Sequence, residues 1–172
     1  GSAVGALVKA RGGRVVGIAG GADKARYLLE TVGYDAVADR HSPDFHAQLA
    51  TALPGGVNVY FDNVGGPLLA QMMPYMAYGG LVLISGLMSQ YQDSTGGETD
   101  NLPAVLYAVM GKGVRIQGFS QFGQDGLRAG FEEEVCKLIT SGAVKPDLHI
   151  VEGLESLPQA QVDLFENSTT GK

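Results

Sequence analysis

The chain has 172 residues, of which 45% are hydrophobic and 17% charged, and its formal net charge is −6. This length suits one domain with a substantial core, and the composition excludes an intrinsically disordered chain. The acidic balance argues against a nucleic-acid partner, because proteins that bind nucleic acids usually carry a basic patch.

The pattern of apolar residues predicts strands that alternate with helices along almost the whole chain. The predicted strands span residues 14–19, 34–38, 57–61, 81–84, 114–119 and 148–151. The predicted helices span residues 2–11, 22–32, 42–52, 67–77, 102–110, 126–141 and 157–166. Residues 87–100 are polar and rich in glycine, which predicts a loop.

This alternation predicts an α/β fold with a doubly wound, Rossmann-type parallel sheet. Such domains open with a strand, a glycine-rich loop and a helix, but this chain opens on the helix and has no GxGxxG motif. Either this domain does not use that loop, or the first strand and the glycine-rich loop are truncated. Ligands of these sheets lie beyond the carboxyl ends of the strands, so the segments after the strands are candidate sites.

Two basic residues follow the first two predicted strands. A site that prefers NAD places an acidic residue at the end of the first of these strands, where it binds the ribose hydroxyls. Here small residues stand at that point, Lys24 follows in the first turn of the helix, and Arg40 follows the next strand. Cations attract the 2′-phosphate of NADP, although an exposed helix start and a solvated arginine would look the same.

Polar residues also follow the third and fourth predicted strands. Asn63 precedes two glycines and could fix a ribose or the nicotinamide ring, or simply cap the following helix. The segment with Ser85, Gly86, Ser89 and Tyr91 could line the cofactor or the substrate. Tyr91 could donate a proton to a developing enolate, or could be a loop tyrosine that only packs.

Together these segments resemble the cofactor domain of the medium-chain dehydrogenase/reductase superfamily. The similarity is greatest to its zinc-independent branch of prostaglandin reductases, leukotriene B4 12-hydroxydehydrogenases and alkenal double-bond reductases. The stretches that carry it are RVVGIAGGADKARYL (14–28), VYFDNVGG (59–66), GLMSQY (86–91), IQGF (116–119) and IVEGLE (150–155). The resemblance covers essentially all of residues 1–172, which we therefore expect to form one NADP-binding domain.

The resemblance implies a role for each candidate residue. Lys24 would hold the 2′-phosphate, Asn63 would contact the ribose or the nicotinamide, and residues 85–91 would wrap the nicotinamide half, with Tyr91 as proton relay. The residues that would present backbone groups to the carboxamide are Phe119, Ser120 and Gln121. Arg40 stands where the family usually has tyrosine, which predicts a different contact at the adenosine end.

The resemblance also bears on both ends of the chain. Gly1 would be the last glycine of the family's glycine-rich loop. Thr169 stands where the family commonly has an asparagine, two residues before the pair Gly171 and Lys172. The catalytic-side domain of the family has no counterpart in this sequence, so we expect residues 1–172 alone to be inactive.

The resemblance implies reduction of a C=C bond in an α,β-unsaturated carbonyl compound by hydride from NADPH. The expected partners are a small enone, alkenal or quinone substrate and a second copy in a homodimer. A quinone oxidoreductase or a non-catalytic nucleotide-binding relative is the alternative.

The remaining sequence features predict where the protein works and what it lacks. The chain has no long apolar run and no visible signal peptide, so we expect no membrane partner and a cytoplasmic location. Cys136 is the only cysteine and is expected to be a buried hydrophobe. The histidines show no metal-ligand spacing, so no metal is implied and each is expected to be structural or exposed.

Overall fold

The computed structural model describes residues 1–90 and 101–165 of the chain. Within them, helices and parallel strands alternate, which confirms the predicted α/β fold class. The helices are α1 (Ser2–Ala10), α2 (Ala22–Arg26), α3 (Phe45–Ala52), α4 (Gly66–Met72), α5 (Leu102–Lys112), α6 (Asp125–Thr140) and α7 (Leu157–Phe165). The strands are β1 (Val16–Ala19), β2 (Ala36–Asp39), β3 (Val57–Asp62), β4 (Met76–Ile84) and β5 (Arg115–Gly118).

These residues fall into two compact units, which we call the N-terminal unit and the central unit. The N-terminal unit comprises Ser2–Phe45 together with the described residues from Gly130 onward. The central unit comprises His46–Ala129 and is grouped with Gly1. Each unit contains one parallel sheet.

In the N-terminal unit, β1 pairs in parallel with β2, in a register that runs from Val16 opposite Ala36 to Ala19 opposite Asp39. The ring of Tyr34 approaches α1 and β1 at two residues without side chains, because a Cβ atom at Gly5 or Gly17 would collide with it. Because Ala19 at the end of β1 lies opposite Asp39 at the end of β2, the turns that follow the two strands lie side by side.

In the central unit, β4 lies between β3 and β5 in a three-stranded parallel sheet. A cluster of buried apolar side chains covers it, formed by Ala70, Met73, Met76, Val82, Val105 and Val114. At the end of α5, the ammonium group of Lys112 donates hydrogen bonds to the carbonyl oxygens of Pro74 (2.6 Å) and Met76 (2.9 Å). These bonds fix the entry into β4.

The structure corrects two of the predicted elements. The helix predicted over residues 67–77 ends at Met72, and β4 already begins at Met76. Pro74 explains the early end, since it has no N–H to continue the helical ladder. The strand predicted over 148–151 is irregular, because residues 145–152 have no strand partner among the described residues.

Candidate active site

The turn after β3 is organised by a buried carboxylate. Asp62 ends the strand with 1% of its surface exposed. Its Oδ1 atom accepts hydrogen bonds from the N–H groups of Val64 (2.8 Å) and Gly65 (3.0 Å) and from the hydroxyl of Tyr60 (3.3 Å). A short carboxylate that bonds main-chain N–H groups just ahead of it closes a tight turn. Asp62 therefore fixes the segment that carries Asn63.

The electrostatics of this turn are governed by burial. The Oδ2 atom of Asp62 is buried and has no hydrogen-bond partner within residues 1–90 and 101–165. Burial raises the pKa of the Tyr60 hydroxyl, and the charge and hydrogen bond of Asp62 raise it further. Tyr60 therefore stays protonated and serves as a donor. A buried carboxylate oxygen without a partner is costly, so the bonds to Oδ1 must offset this cost.

The loop over residues 85–90, which we call the β4 loop, is hydrogen-bonded to the turn after β3. The bonds run from Ser85 N to Asp62 O (2.7 Å), Gly86 N to Asp62 O (3.2 Å), Met88 N to Asn63 O (3.0 Å), and Ser89 N and Oγ to Val64 O (3.1 and 2.6 Å). Because nearly all of these groups belong to the main chain, the two segments form one continuous surface. That surface contains Asn63, Ser85, Gly86 and Ser89.

Glycine is required where the two segments meet. Gly65 has a φ angle of +68° and a ψ angle of −156°, a conformation that is essentially restricted to glycine. A Cβ atom there would also lie 2.7 Å from Cδ2 of Leu87. At Gly86, a Cβ atom would lie 3.1 Å from the carbonyl oxygen of Asn63. Gly65 is buried and Gly86 partly buried, so the lack of side chains at these positions lets the turn after β3 and the β4 loop pack closely against each other.

The residues after β5 continue this edge of the central sheet. The N–H of Phe119 donates to the carbonyl of Ile84 at 2.8 Å, which places Phe119 beside the start of the β4 loop. Ser120 Oγ accepts a bond from Phe122 N at 3.2 Å, and the carbonyl of Gln121 accepts one from Gln124 N at 3.2 Å. The structure thus brings the segments after β3, β4 and β5 to one edge.

In the N-terminal unit, the turn after β1 is bonded to the end of β2. Oδ1 of Asp39 accepts hydrogen bonds from the N–H groups of Gly21 (3.0 Å) and His41 (2.9 Å). These bonds are the main reason that the pKa of Asp39 lies below its ordinary value. The N–H of Arg40 donates to the carbonyl of Ala19 at 2.9 Å, so Arg40 lies directly beside the β1 turn.

Basic side chains gather around this turn. Partial burial lowers the pKa of Lys24, and the nearby positive charge of Arg40 lowers it further. The Nε atom of Arg40 donates to Nε2 of His41 at 3.3 Å. The His41 ring covers Gly20, where a Cβ atom would lie 2.7 Å from its Cε1 atom. Lys24 and Arg40 are close enough for their positive charges to repel, and they lie beside the main chain of Gly20. Positive side chains next to exposed main-chain N–H groups are suited to binding a phosphate group of a dinucleotide.

The sequence was compared with known protein families and solved structures. A profile of the zinc-binding dehydrogenase family matches residues 1–141. The chain belongs to that family. This confirms the resemblance to the medium-chain dehydrogenase/reductase superfamily drawn from the sequence. Within residues 1–90 and 101–165, this zinc-binding dehydrogenase domain has no group of three or more His, Cys, Asp or Glu residues that could hold a metal ion.

Similar proteins align with the whole length of this zinc-binding dehydrogenase domain. It is 34% identical over 174 residues to the NADPH-dependent curcumin reductase of Escherichia coli, covering 100% of the chain and 50% of that protein. It is 33% identical to the NADP(+)-dependent 2-alkenal reductase of Nicotiana tabacum, with coverage of 100% and 49%. The chain therefore spans about half the length of the curated relatives that it matches.

A solved structure extends the likeness from sequence to fold. The crystal structure of CurA from Vibrio vulnificus in complex with NADPH superimposes with a TM-score of 0.92 at 35% identity. The match covers 100% of this chain and 52% of that one. This confirms the Rossmann-type fold that the alternation of strands and helices predicts.

Several predicted residues lie outside these two clusters. Tyr91 and Thr169 lie outside the described residues. Gly1 is exposed just before α1. Cys136 is exposed on α6, which contradicts its predicted burial: none of the residues of that helix is buried. No helix in the described part of the chain is long and apolar enough to cross a membrane.

Sequence reasoning missed the residues that shape the two turns. Asp39 and Asp62 each end a strand just before a turn, and that position could have identified them as turn-forming carboxylates. The sequence predicts only a structural or exposed role for His41. The residue is exposed, but nothing in the sequence indicates that its ring covers Gly20, since this contact joins separate segments.

Proposed function

We propose that this chain is the cofactor-binding domain of an NADPH-dependent reductase of α,β-unsaturated carbonyl compounds. The observation that carries the proposal is the likeness of the whole chain to about half of CurA, whose crystal structure contains NADPH: the match covers 100% of this chain and 52% of that one. The curated relatives that act on curcumin and 2-alkenals support the choice of substrate class. A quinone is the alternative substrate.

We assign the adenosine end of the cofactor to the N-terminal unit. Lys24 and Arg40 would bind the 2′-phosphate, which relieves the repulsion between their positive charges. The residues at the end of β1 carry no carboxylate of their own, since Ala19 is followed by Gly20 and Gly21, and the carboxylate that reaches this turn, Asp39 of β2, is bonded to the N–H groups of Gly21 and His41. Gly1 and Thr169 remain proposed contacts from the family resemblance.

We assign the nicotinamide half to the edge of the central sheet. Asn63, Ser85, Gly86 and Ser89 would contact the ribose and the ring, because they lie on the surface formed by the turn after β3 and the β4 loop. Three further residues would present backbone groups to the carboxamide: Phe119, Ser120 and Gln121. When bound, NADPH supplies the hydride that reaches the β-carbon of the substrate.

Tyr91 would protonate the enolate, directly or through a ribose hydroxyl. A phenol with an ordinary pKa of about 10 stays protonated at neutral pH and can donate. Tyr91→Phe in the full-length enzyme should lower kcat by about 10²–10⁴-fold with little change in NADPH affinity. Tyr107→Phe, an exposed tyrosine on α5, is the matched control. An unchanged kcat in the Tyr91 variant would remove it from catalysis.

The test of cofactor binding is Lys24→Ala. Loss of one charged hydrogen bond should weaken NADPH binding by about 1–3 kcal/mol and leave NADH nearly unchanged. Arg26→Ala is the control, since Arg26 is a cation of the same helix that pairs with Asp23 at 3.4 Å. Equal losses for NADPH and NADH would contradict the assignment of the 2′-phosphate. Assays with a 2-alkenal and a simple quinone side by side would decide the substrate class.

We also propose that the protein is a cytoplasmic homodimer. The support is β5, which is exposed and lies at the edge of the central sheet as formed by the described residues, so that its outer main-chain groups could pair with a second copy. Sedimentation of the full-length protein would decide the oligomeric state, and a monomer at all concentrations would contradict it.

A further inference from the structure

We propose that His41 is a third contact of the 2′-phosphate, one that strengthens when its ring is protonated. The preference for NADP over NAD would then increase as the pH falls. The inference rests on the proposed binding of NADP by this domain. Neither the sequence pattern nor the family resemblance places His41 in contact with the cofactor.

The position of the His41 ring is fixed from two sides. The main-chain N–H of His41 donates to Asp39 Oδ1 at 2.9 Å and so holds the backbone that carries the ring, and the same oxygen accepts the N–H of Gly21 at 3.0 Å. The ring lies on Gly20, with Nδ1 and Nε2 both 3.2 Å from the place that a Cβ atom would occupy. The absence of a side chain at Gly20 therefore admits the ring to the turn where the 2′-phosphate is expected.

The charged groups around the ring determine which contacts change when the ring is protonated. Arg40 donates from Nε to Nε2 of His41 at 3.3 Å, so in this arrangement Nε2 is the acceptor and the neutral ring carries its proton on Nδ1. Asp39 faces His41 from β2 and attracts a positive ring. Lys24 on α2 lies near enough to Arg40 for their charges to repel. The other two charged residues of α2, Asp23 and Arg26, form an ion pair with each other at 3.4 Å.

Protonation converts the ring from an acceptor toward Arg40 into a cation with two N–H donors. The bond from Arg40 is then lost, and two cations stand side by side next to Lys24. A phosphate dianion among them resolves the repulsion, because it accepts hydrogen bonds from all three. Histidine side chains ordinarily gain this proton between about pH 8 and pH 5, so the effect falls in an accessible range.

The experiment measures the dissociation constants of NADP+ and NAD+ for the full-length protein between about pH 8 and pH 6, where histidine titrates. Wild type is compared with His41→Gln, which keeps a polar side chain but cannot gain a charge. A phosphate monoester itself gains a proton near pH 6, and this weakens binding to both proteins equally. The ratio of the two NADP+ constants, variant over wild type, therefore isolates the contribution of His41.

We expect this ratio to rise from about 1 at pH 8 to about 3–10 at pH 6, the scale of an exposed charge-assisted hydrogen bond. The same ratio for NAD+ should stay near 1. His41→Lys carries a permanent charge and should keep the low-pH preference at pH 8. The control is His46→Gln, a central-unit histidine stacked on Tyr75, which should behave as wild type.

Each contrary result has a separate meaning. Wild type that binds no NADP+ at any pH would overturn the proposed function. NADP+ binding with a ratio that stays flat with pH would leave that function intact and overturn the role of His41. Equal changes for NADP+ and NAD+ would also overturn it, since the contact would then lie on a part that both cofactors share. Should the glutamine variant fail to fold, the lysine variant provides the same test.

Discussion

The turn after β3 and the turn after β2 use the same device in different surroundings. In each, an aspartate ends the strand and its Oδ1 atom accepts two main-chain N–H groups. For Asp62 the donors are Val64 and Gly65, at 2.8 and 3.0 Å. For Asp39 the donors are Gly21 and His41, at 3.0 and 2.9 Å.

The two turns differ in how deeply their aspartates are buried. Asp62 is buried, its second oxygen lacks a partner among the described residues, and its Oδ1 atom bonds the turn and the hydroxyl of Tyr60. Asp39 is only partly buried and stands beside Arg40 and His41. The same hydrogen-bond geometry of a carboxylate therefore stabilises a buried turn at Asp62 and forms part of a charged cluster in the open turn at Asp39.

The largest expected effect comes from removing the buried carboxylate. Asp62→Ala leaves the N–H groups of Val64 and Gly65 without an acceptor in a buried place, which should lower the free energy of unfolding by about 3 kcal/mol. Asp39→Ala should lower it much less, because water can reach the freed N–H groups. Urea unfolding of both variants measures the difference. Equal losses in the free energy of unfolding would contradict the view that burial makes Asp62 more important to stability than Asp39.

A smaller effect is expected from adding a methyl group where the buried turn meets the β4 loop. Gly65→Ala combines a backbone conformation that alanine rarely adopts with a contact to Leu87, and should cost about 2 kcal/mol. Gly55→Ala, at a glycine with no atoms near the added methyl, is the matched control. Thermal unfolding of the two proteins checks this, and similar midpoints would show that the turn is less tightly constrained than the structure indicates.

The smallest expected effect is the response of the open turn to acid. Hydrogen bonds from Gly21 and His41 lower the pKa of Asp39 below its ordinary value of 3.8, so the ionised form favours the folded turn. This stabilisation is complete above that ordinary value and is lost as the pH falls through the lowered pKa. Amide exchange at Gly21, corrected for its intrinsic pH dependence, should therefore show loss of protection in acid, and Asp39→Asn should abolish that change. Protection that stays constant with pH in wild type would contradict the prediction.

The elements could be predicted from the sequence better than the contacts between them. Alternating apolar runs located all five described strands, because strand-helix alternation is a local pattern. The predicted start of β4 was wrong, since residues 67–77 have helical spacing and the break depends on Pro74 and on the bonds from Lys112. The contact of the His41 ring with Gly20 could not be predicted for a similar reason, because it depends on which segment the fold places against that glycine.

The β4 loop is held mainly by N–H groups, and every residue except proline has one. At Met88, the N–H binds Asn63 while the side chain, with the residue 42% exposed, takes no part in the anchoring. Position 88 should therefore accept many side chains without loss of the loop conformation. A library randomised at this codon would display varied chemistry from one fixed backbone, which makes it a natural starting point for altering this protein by selection.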